Sequence, residues 1–271
     1  MANIKNIGVV SIGEMGLGFA QMLIAHNYNV STYAEDRSQN TKDNAQSAGV
    51  RLSKSIADLA ASIDVLLSIV PPRDAHATAR RIADAVASPY RDRPLYYLDL
   101  NATSPATAKR TAKLFSQTPS IKLIDGGIIG GVPRPLKDGA NGSSAITNGG
   151  LRWHCPALLL SGPDKLPDPA LSELLHIDHL SPDIGAATGV KMSFAATTKG
   201  FISIAIQSYT TAHQLGVLDN LRSYLSKYQP GTYQLAEKGL VVMPPKAYRW
   251  VGEMKEIGQT FAESGGFKAD L

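Results

Sequence analysis

Along the first half of the chain, apolar positions alternate between short continuous runs and helical spacing. That is the signature of strands and helices in turn, and so of a parallel sheet covered on both faces. Residues 5–11 read as a buried first strand. Phe19, Met22, Leu23 and Ile24 then recur at helical spacing within 16–26, with Asn27 placed to end the helix as a left-handed cap. A strand is expected over 30–33 and a short helix over 55–62. The run 64–70 is rich in branched residues and stopped by Pro71 and Pro72, which reads as a central strand. A helix over 74–87, a strand over 95–100, a helix over 104–115 and a strand over 121–125 continue the alternation.

The passage 126–150 holds eight Gly and two Pro without a sustained period, and is expected to be loop over the sheet's edge. One more strand is expected over 157–161. Beyond Gly185 strand signals fade, and 190–215 reads as one long apolar helix followed by helices over 221–227, 233–240 and 248–262. The fold class is therefore α/β, a doubly wound parallel sheet over 1–182, followed by an all-helical domain over 183–271.

Composition narrows the function classes. The 271 residues are 44% hydrophobic, enough for a proper buried core. A net charge of +4 on a chain only 18% charged is too mild to be a footprint for nucleic acid, and suits a small anionic ligand better. No window approaches the ~18 consecutive apolar residues of a membrane span, and the run 7–12 is too short for a signal-peptide core, so a soluble, cytoplasmic protein is expected. Cys155 is the only cysteine, which excludes an intrachain disulfide and a thiolate zinc cage; beside Trp153 and His154 it reads as a packed thiol. Of the six histidines only His176 and His179 are near neighbours, and they read as surface residues at an element's end, with an irregular stretch following; no metal site is expected.

Candidate chemistry gathers at the ends of the expected strands, where open parallel sheets bind their ligands. The first strand runs into Ser11-Ile12-Gly13-Glu14-Met15-Gly16-Leu17-Gly18 and opens a helix, the context in which a glycine-rich turn holds a pyrophosphate on helix N-terminal amides. Gly13, Glu14, Met15 and Gly16 are thus cofactor candidates, although Ser11 stands where the fingerprint puts its first glycine. After the second strand comes Tyr33-Ala34-Glu35-Asp36-Arg37-Ser38. Ala34 occupies the place of the acid that reads a free ribose 2′-hydroxyl, which leaves Arg37 and Ser38 to take a 2′-phosphate and tilts the cofactor toward NADP, with Glu35 as a rival in favour of NAD. Val70 and Pro71, and Asn101 after Asp99, mark two further strand ends facing the same ligand. Ile129, Gly130 and Gly131 lie after Asp125, where backbone amides can approach a substrate carboxylate. Lys191 sits among Val190, Met192, Phe194, Ala195 and Ala196, a setting that depresses an amine's pKa toward acid–base range. Lys199, eight residues on, falls roughly 80° round a regular helix and can line the same cleft, or be an ordinary surface charge.

In this order the features resemble the β-hydroxyacid dehydrogenase and 6-phosphogluconate dehydrogenase superfamily: the turn ending in Met15-Gly16, the strand 64–72, Asp99 with Ser104-Pro105, the loop 125–131 and Gly185 to Lys191. Lys191-Met192, Lys199-Gly200 and the stretch 248–256 resemble a phosphogluconate dehydrogenase-like branch that joins NAD binding to a distinctive C-terminal domain. The resemblance implies a Rossmann domain, a helical domain that forms a homodimer, a small-molecule substrate, and Lys191 as general acid/base in hydride transfer between nicotinamide and a carbonyl or alcohol carbon. Two departures bear on the substrate: the family's loop serine is replaced by Ile129, and the asparagine four residues after the lysine by Ala195. Both changes remove groups that would hydrogen-bond a hydroxyacid, favouring a less polar substrate or one held by Arg134, Lys199 or Arg249. The rival readings are an imine reductase or reductive aminase, which also lacks the loop serine but usually has another residue at Lys191, and a nicotinamide-binding sensor without turnover. A short-chain dehydrogenase is disfavoured because Tyr224 and Lys227 are three apart rather than four. The chain also ends at Leu271, sooner than the resemblance would lead one to expect.

Overall fold

A computed structural model of the chain describes residues 4–86, 93–136, 145–148 and 151–268. It divides into two compact units, 1–191 and 192–271. The loss of strand signals near residue 183 marks the approach to helix α7, and the units part within that helix.

The first unit opens with β1 (Asn6–Val10), α1 (Glu14–Ala25), β2 (Asn29–Thr32), α2 (Gln39–Ser47), β3 (Arg51–Leu52) and α3 (Ile56–Ser62). It continues with β4 (Val65–Ser68), α4 (Pro72–Val86), β5 (Leu95–Asp99), α5 (Pro105–Phe115), β6 (Ile121–Ile129), β7 (Arg134–Pro135), β8 (Ala145–Asn148), β9 (Leu151–His154), β10 (Ala157–Ser161), α6 (Pro169–Leu174) and β11 (Ile177–Ser181). The main sheet has the order β11-β10-β6-β5-β4-β1-β2-β3. Strands β3 to β6 are parallel and wound outward in both directions from the β1/β4 boundary, so the chain reverses its order there and opens a crevice at the carboxyl ends. Strand β10 adds antiparallel to β6, so the sheet is mostly rather than wholly parallel.

Burial explains the winding. Val9, Val65, Leu67 and Leu98 share one cluster with Phe19, Met22 and Leu23 of α1, while Val10, Leu66, Leu95 and Tyr97 share another with Leu59, Ile82 and Phe115 of α3, α4 and α5. Neighbouring residues of one strand thus feed opposite layers, as a pleated sheet buried on both faces requires. Asn27 takes the expected left-handed conformation, φ 64°, after α1.

Several expectations need correction. The passage 126–150 is not simply loop: β6 runs on through Gly126 and Gly127 to Ile129, and β7, β9 and β8 form a small antiparallel sheet of their own. Residues 137–144, 149 and 150 of that passage lie outside the described residues. His179 lies half-buried in the middle of strand β11 rather than on the surface at an element's end, and α2 and α6 carry no apolar repeat strong enough to announce them. The long helix expected over 190–215 is three pieces: α7 (Ala186–Ala195), a π-helical turn (Ala196–Gly200) and α8 (Phe201–Gln214).

The second unit holds the π-turn and α8, then α9 (Leu218–Tyr228), α10 (Pro230–Val242) and α11 (Ala247–Gly265). Ala205, Tyr209 and Ala236 are its buried centre, with Phe201, Leu218, Leu221, Leu225 and Leu240 packed round them, and Arg222 forks onto Glu237 at 2.9 and 3.2 Å between α9 and α10. No helix among the described residues is long and apolar enough to cross a membrane.

Candidate active site

The turn after β1 is tight and closely packed. Ser11 occupies the left-handed region at φ 75°, the conformation for which a glycine is ordinarily required. The serine thus keeps the tight turn and carries its strain. A side chain at Gly16 would collide with the Ser11 carbonyl oxygen, and one at Gly18 would meet the Pro133 carbonyl oxygen at 2.8 Å, so both glycines are fixed by close packing. Gly13 caps α1 without a side-chain hydrogen bond, and Glu14, Met15 and Gly16 make the first turn. The first amides of α1 therefore have no side-chain acceptor from the cap, as a helix end that receives a phosphate needs. Ser11→Gly is expected to raise stability by about 1 kcal/mol through relief of the strained φ, read as a higher midpoint in thermal unfolding.

At the end of β2, Ala34 is buried and the charges follow it outward. Glu35 pairs with Lys42 at 2.9 Å, so the rival for a ribose hydroxyl is already engaged. Asp36 lies between two guanidiniums, Arg37 at 3.5 Å and Arg81 of α4 at 3.4 Å. Arg81 also lies over the Tyr33 ring, 5.6 Å from its centroid. Ser11, Tyr33, Asp36, Arg37, Thr78 and Arg81 line one pocket. Arg81 is the residue here that sequence reading missed, because it comes from α4 and nothing local ties it to the second strand. Ser38 caps α2 by accepting from the Thr41 amide at 3.3 Å, so its hydroxyl serves the helix.

Val70 and Asn101 prove to be one structure. The Val70 amide donates to Asn101 Oδ1 at 2.6 Å, while Asn101 Nδ2 donates to Asp99 Oδ1 at 2.6 Å and Ser68 Oγ at 3.1 Å. This buried amide ties the ends of β4 and β5 and holds the turn that presents the exposed Pro71. Burial and the neighbouring Asp125 carboxylate push the Asp99 carboxyl up to about 7.

Lys191 is placed by unit 1. Its Nζ donates to the Ile128 carbonyl oxygen at 2.6 Å, close to the carboxyl end of β6. The aliphatic stem lies where a Cβ on Gly127 would stand, 2.6 Å from Lys191 Cβ, so Gly127 is glycine to let the lysine pass. Burial lowers the amine's pKa. The helix bearing it is anchored by Asp125, whose Oδ2 accepts from Ser161 Oγ at 2.8 Å, the Gly185 amide at 3.0 Å, and the Thr188 amide and hydroxyl, each at 3.3 Å. Asp125 thus supplies the acceptor that the first turn of α7 lacks.

Ile129 is half-buried, and Gly130 follows at φ 126° with Gly131 exposed beside His154 and Arg134. Burial, then Arg134, lowers the His154 pKa. Ala195 is buried at the end of α7. Lys199 falls in the π-turn, so the 80° reckoning for a regular helix does not place it; its ammonium pairs with Glu253 and lies 5.3 Å from the Trp250 centroid. The side chain of Arg249 lies outside the described residues. Cys155 is buried with its thiol pushed up to about 12 by burial, the state of an inert packing thiol. Among the described residues no cluster of three potential metal ligands occurs.

A sheet wound in this order, with a glycine turn and an uncapped helix end at its crevice, defines a dinucleotide-binding α/β protein. The chain belongs to the family of the NAD binding domain of 6-phosphogluconate dehydrogenase, whose model matches residues 6–150. Residues 212–271 match a domain of unknown function, DUF1932. An uncharacterized 28.5 kDa protein of Methanothermus fervidus is 26% identical over 82% of this chain and 76% of its own length. Among solved structures, a conserved protein of unknown function with structural similarity to 3-hydroxyacid dehydrogenases is 25% identical, with a TM-score of 0.66 over 95% of this chain and 90% of that one. An imine reductase from Myxococcus stipitatus, solved with NADP+, shares the fold at 19% identity, with a TM-score of 0.60 over 89% of this chain and 78% of that one.

Proposed function

We propose that the protein is an NADP-preferring oxidoreductase that moves a hydride to or from a carbonyl or alcohol carbon of a small, hydroxyacid-like substrate, with Lys191 as the proton-handling group. The observation that carries this reading is Lys191 Nζ, held at the carboxyl end of β6 on the same edge of the sheet as the glycine turn, with its pKa lowered by burial. The open N-terminus of α1 suits a pyrophosphate, and Arg37 with Arg81 suits a ribose 2′-phosphate. Nicotinamide, when bound, would supply the hydride in its reduced form and accept it in its oxidised form. Lys191 supplies or accepts the proton at the substrate oxygen, and burial moves the amine's pKa in the direction that eases release of its proton. Ile129 offers no polar side-chain group next to the carbonyl that holds Lys191, which supports a substrate with fewer polar groups than 6-phosphogluconate. The same reading carries a cytoplasmic homodimer formed through the helical unit.

A fluorescence titration with NADPH and, separately, NADH tests the foundation, and failure of both to bind would remove it. Arg81→Ala is expected to weaken NADPH by about tenfold or more, the worth of a charge-assisted hydrogen bond to phosphate, and to leave NADH within about twofold. Equal losses for both cofactors would place Arg81 away from the 2′-phosphate. Ile129 in place of the loop serine, with the fold shared by the imine reductase, favours C=N reduction as a second reading; assay of cyclic imines beside hydroxyacids separates the two.

A further inference from the structure

We propose that the helical unit carries a binding site of its own for a small amphiphilic carboxylate. Between α8 and α11 lies a cavity of about 340 Å³, in the range of small-molecule sites, with walls of Ile202, Ile206, Met243, Trp250 and Met254. Its polar groups are few: Lys199 in the π-turn that precedes α8, Ser203 on α8 and Lys255 on α11. The charged side chains lining it are both lysines, so the head group it suits is an anion.

The two lysines have different tasks. Lys199, its side chain only 16% exposed, is held by Glu253 and by the Trp250 ring, and that pairing stiffens one wall. Lys255 is exposed and forms no ion pair among the described residues, which leaves its charge for a ligand's carboxylate, while Ser203 offers a hydroxyl donor. A single ammonium matches one carboxylate better than a phosphoryl group, which calls for several donors. The flexible methionines and the indole accept an aliphatic or aromatic body without demanding one shape. None of this depends on the nucleotide reading, since every residue belongs to the second unit.

The test is calorimetric titration of the whole chain, without nucleotide, using octanoate and octylammonium as probes. Octanoate is expected to bind saturably at one site per chain, with octylammonium at least about tenfold weaker. Ile206→Trp fills the cavity and Lys255→Glu reverses the rim charge; each is expected to weaken octanoate by about tenfold or more. Lys255 is exposed, so its substitution leaves folding intact and decides the matter if Ile206→Trp unfolds the chain. Absence of saturable octanoate binding, equal binding of octylammonium, or undiminished binding by the Lys255 variant would each overturn the proposal. So would sedimentation showing a dimer that Ile206→Trp dissociates and octanoate does not enter, because a second copy would then be the occupant.

Discussion

Lys191→Met is expected to lower kcat by about 10²- to 10⁴-fold, the worth of a positioned general acid or base, while the dissociation constant for the nicotinamide cofactor stays within about twofold. Methionine keeps an unbranched apolar stem beside Gly127 and removes only the ammonium, so the packing that admits Lys191 survives. The hydrogen bond from Nζ to the Ile128 carbonyl is lost, and that carbonyl lies next to Ile129 in the expected substrate loop. Steady-state kinetics on whichever substrate the wild type turns over, paired with a fluorescence titration of cofactor, separates the two effects. Unchanged kcat would remove Lys191 from the chemistry. Equal loss of cofactor binding would make it a structural residue.

Asp125→Ala is expected to cost about 3 kcal/mol or more and to lower the melting midpoint by on the order of 10 °C. The carboxylate oxygen is buried and accepts from Ser161, Gly185 and twice from Thr188. Alanine leaves the Ser161 hydroxyl and the Gly185 and Thr188 amides without this buried acceptor, while the Thr188 hydroxyl still reaches the Gly185 carbonyl oxygen at 3.2 Å. The carboxylate's own cost is already high: burial raises its pKa, and its Oδ1 has no hydrogen-bond partner. Asp125→Asn keeps one acceptor oxygen and is expected to fall between the two. Circular-dichroism melts of the three proteins check the order; an Asp125→Ala midpoint equal to wild type would show that the first turn of α7 holds without its anchor.

Much of the α/β unit was legible because its strands are buried on both faces and its helices carry one apolar side, so period and punctuation agree. Legibility failed where a residue's reason lay far away in sequence. Gly126 and Gly127 read as loop because glycine breaks local patterns, yet each is a strand residue shorn of its side chain: Leu100 and Leu160 crowd the first and Lys191 the second. Helix α2 is polar apart from Ala45, so its only announcement was the Ser38 cap. Strand β11 is an edge strand that alternates half-buried and exposed residues, with no continuous apolar run to mark it. The π-turn is invisible to periodicity, since adding a residue to one turn leaves the apolar character of a helix unchanged.

The same reason governs the site. Lys191 stood out as a cation among apolar neighbours, and Arg37 through its place after the second strand. Asp125 was noticed only as a strand end, because Ser161 and Thr188, which show its task, lie far from it in the chain. Arg81 was hidden likewise.

The anchoring of α7 bears on how such proteins diversify. Gly127, Ile128, Asp125 and Ser161, which hold the Lys191 side chain and the head of its helix, belong to the first unit with Gly185 and Thr188. Substitutions accumulating in residues 192–271 therefore leave these contacts of the ammonium in place. A chimera that exchanges the chain after Lys191 keeps the Asp125, Gly127 and Ile128 contacts of that side chain and of the head of its helix.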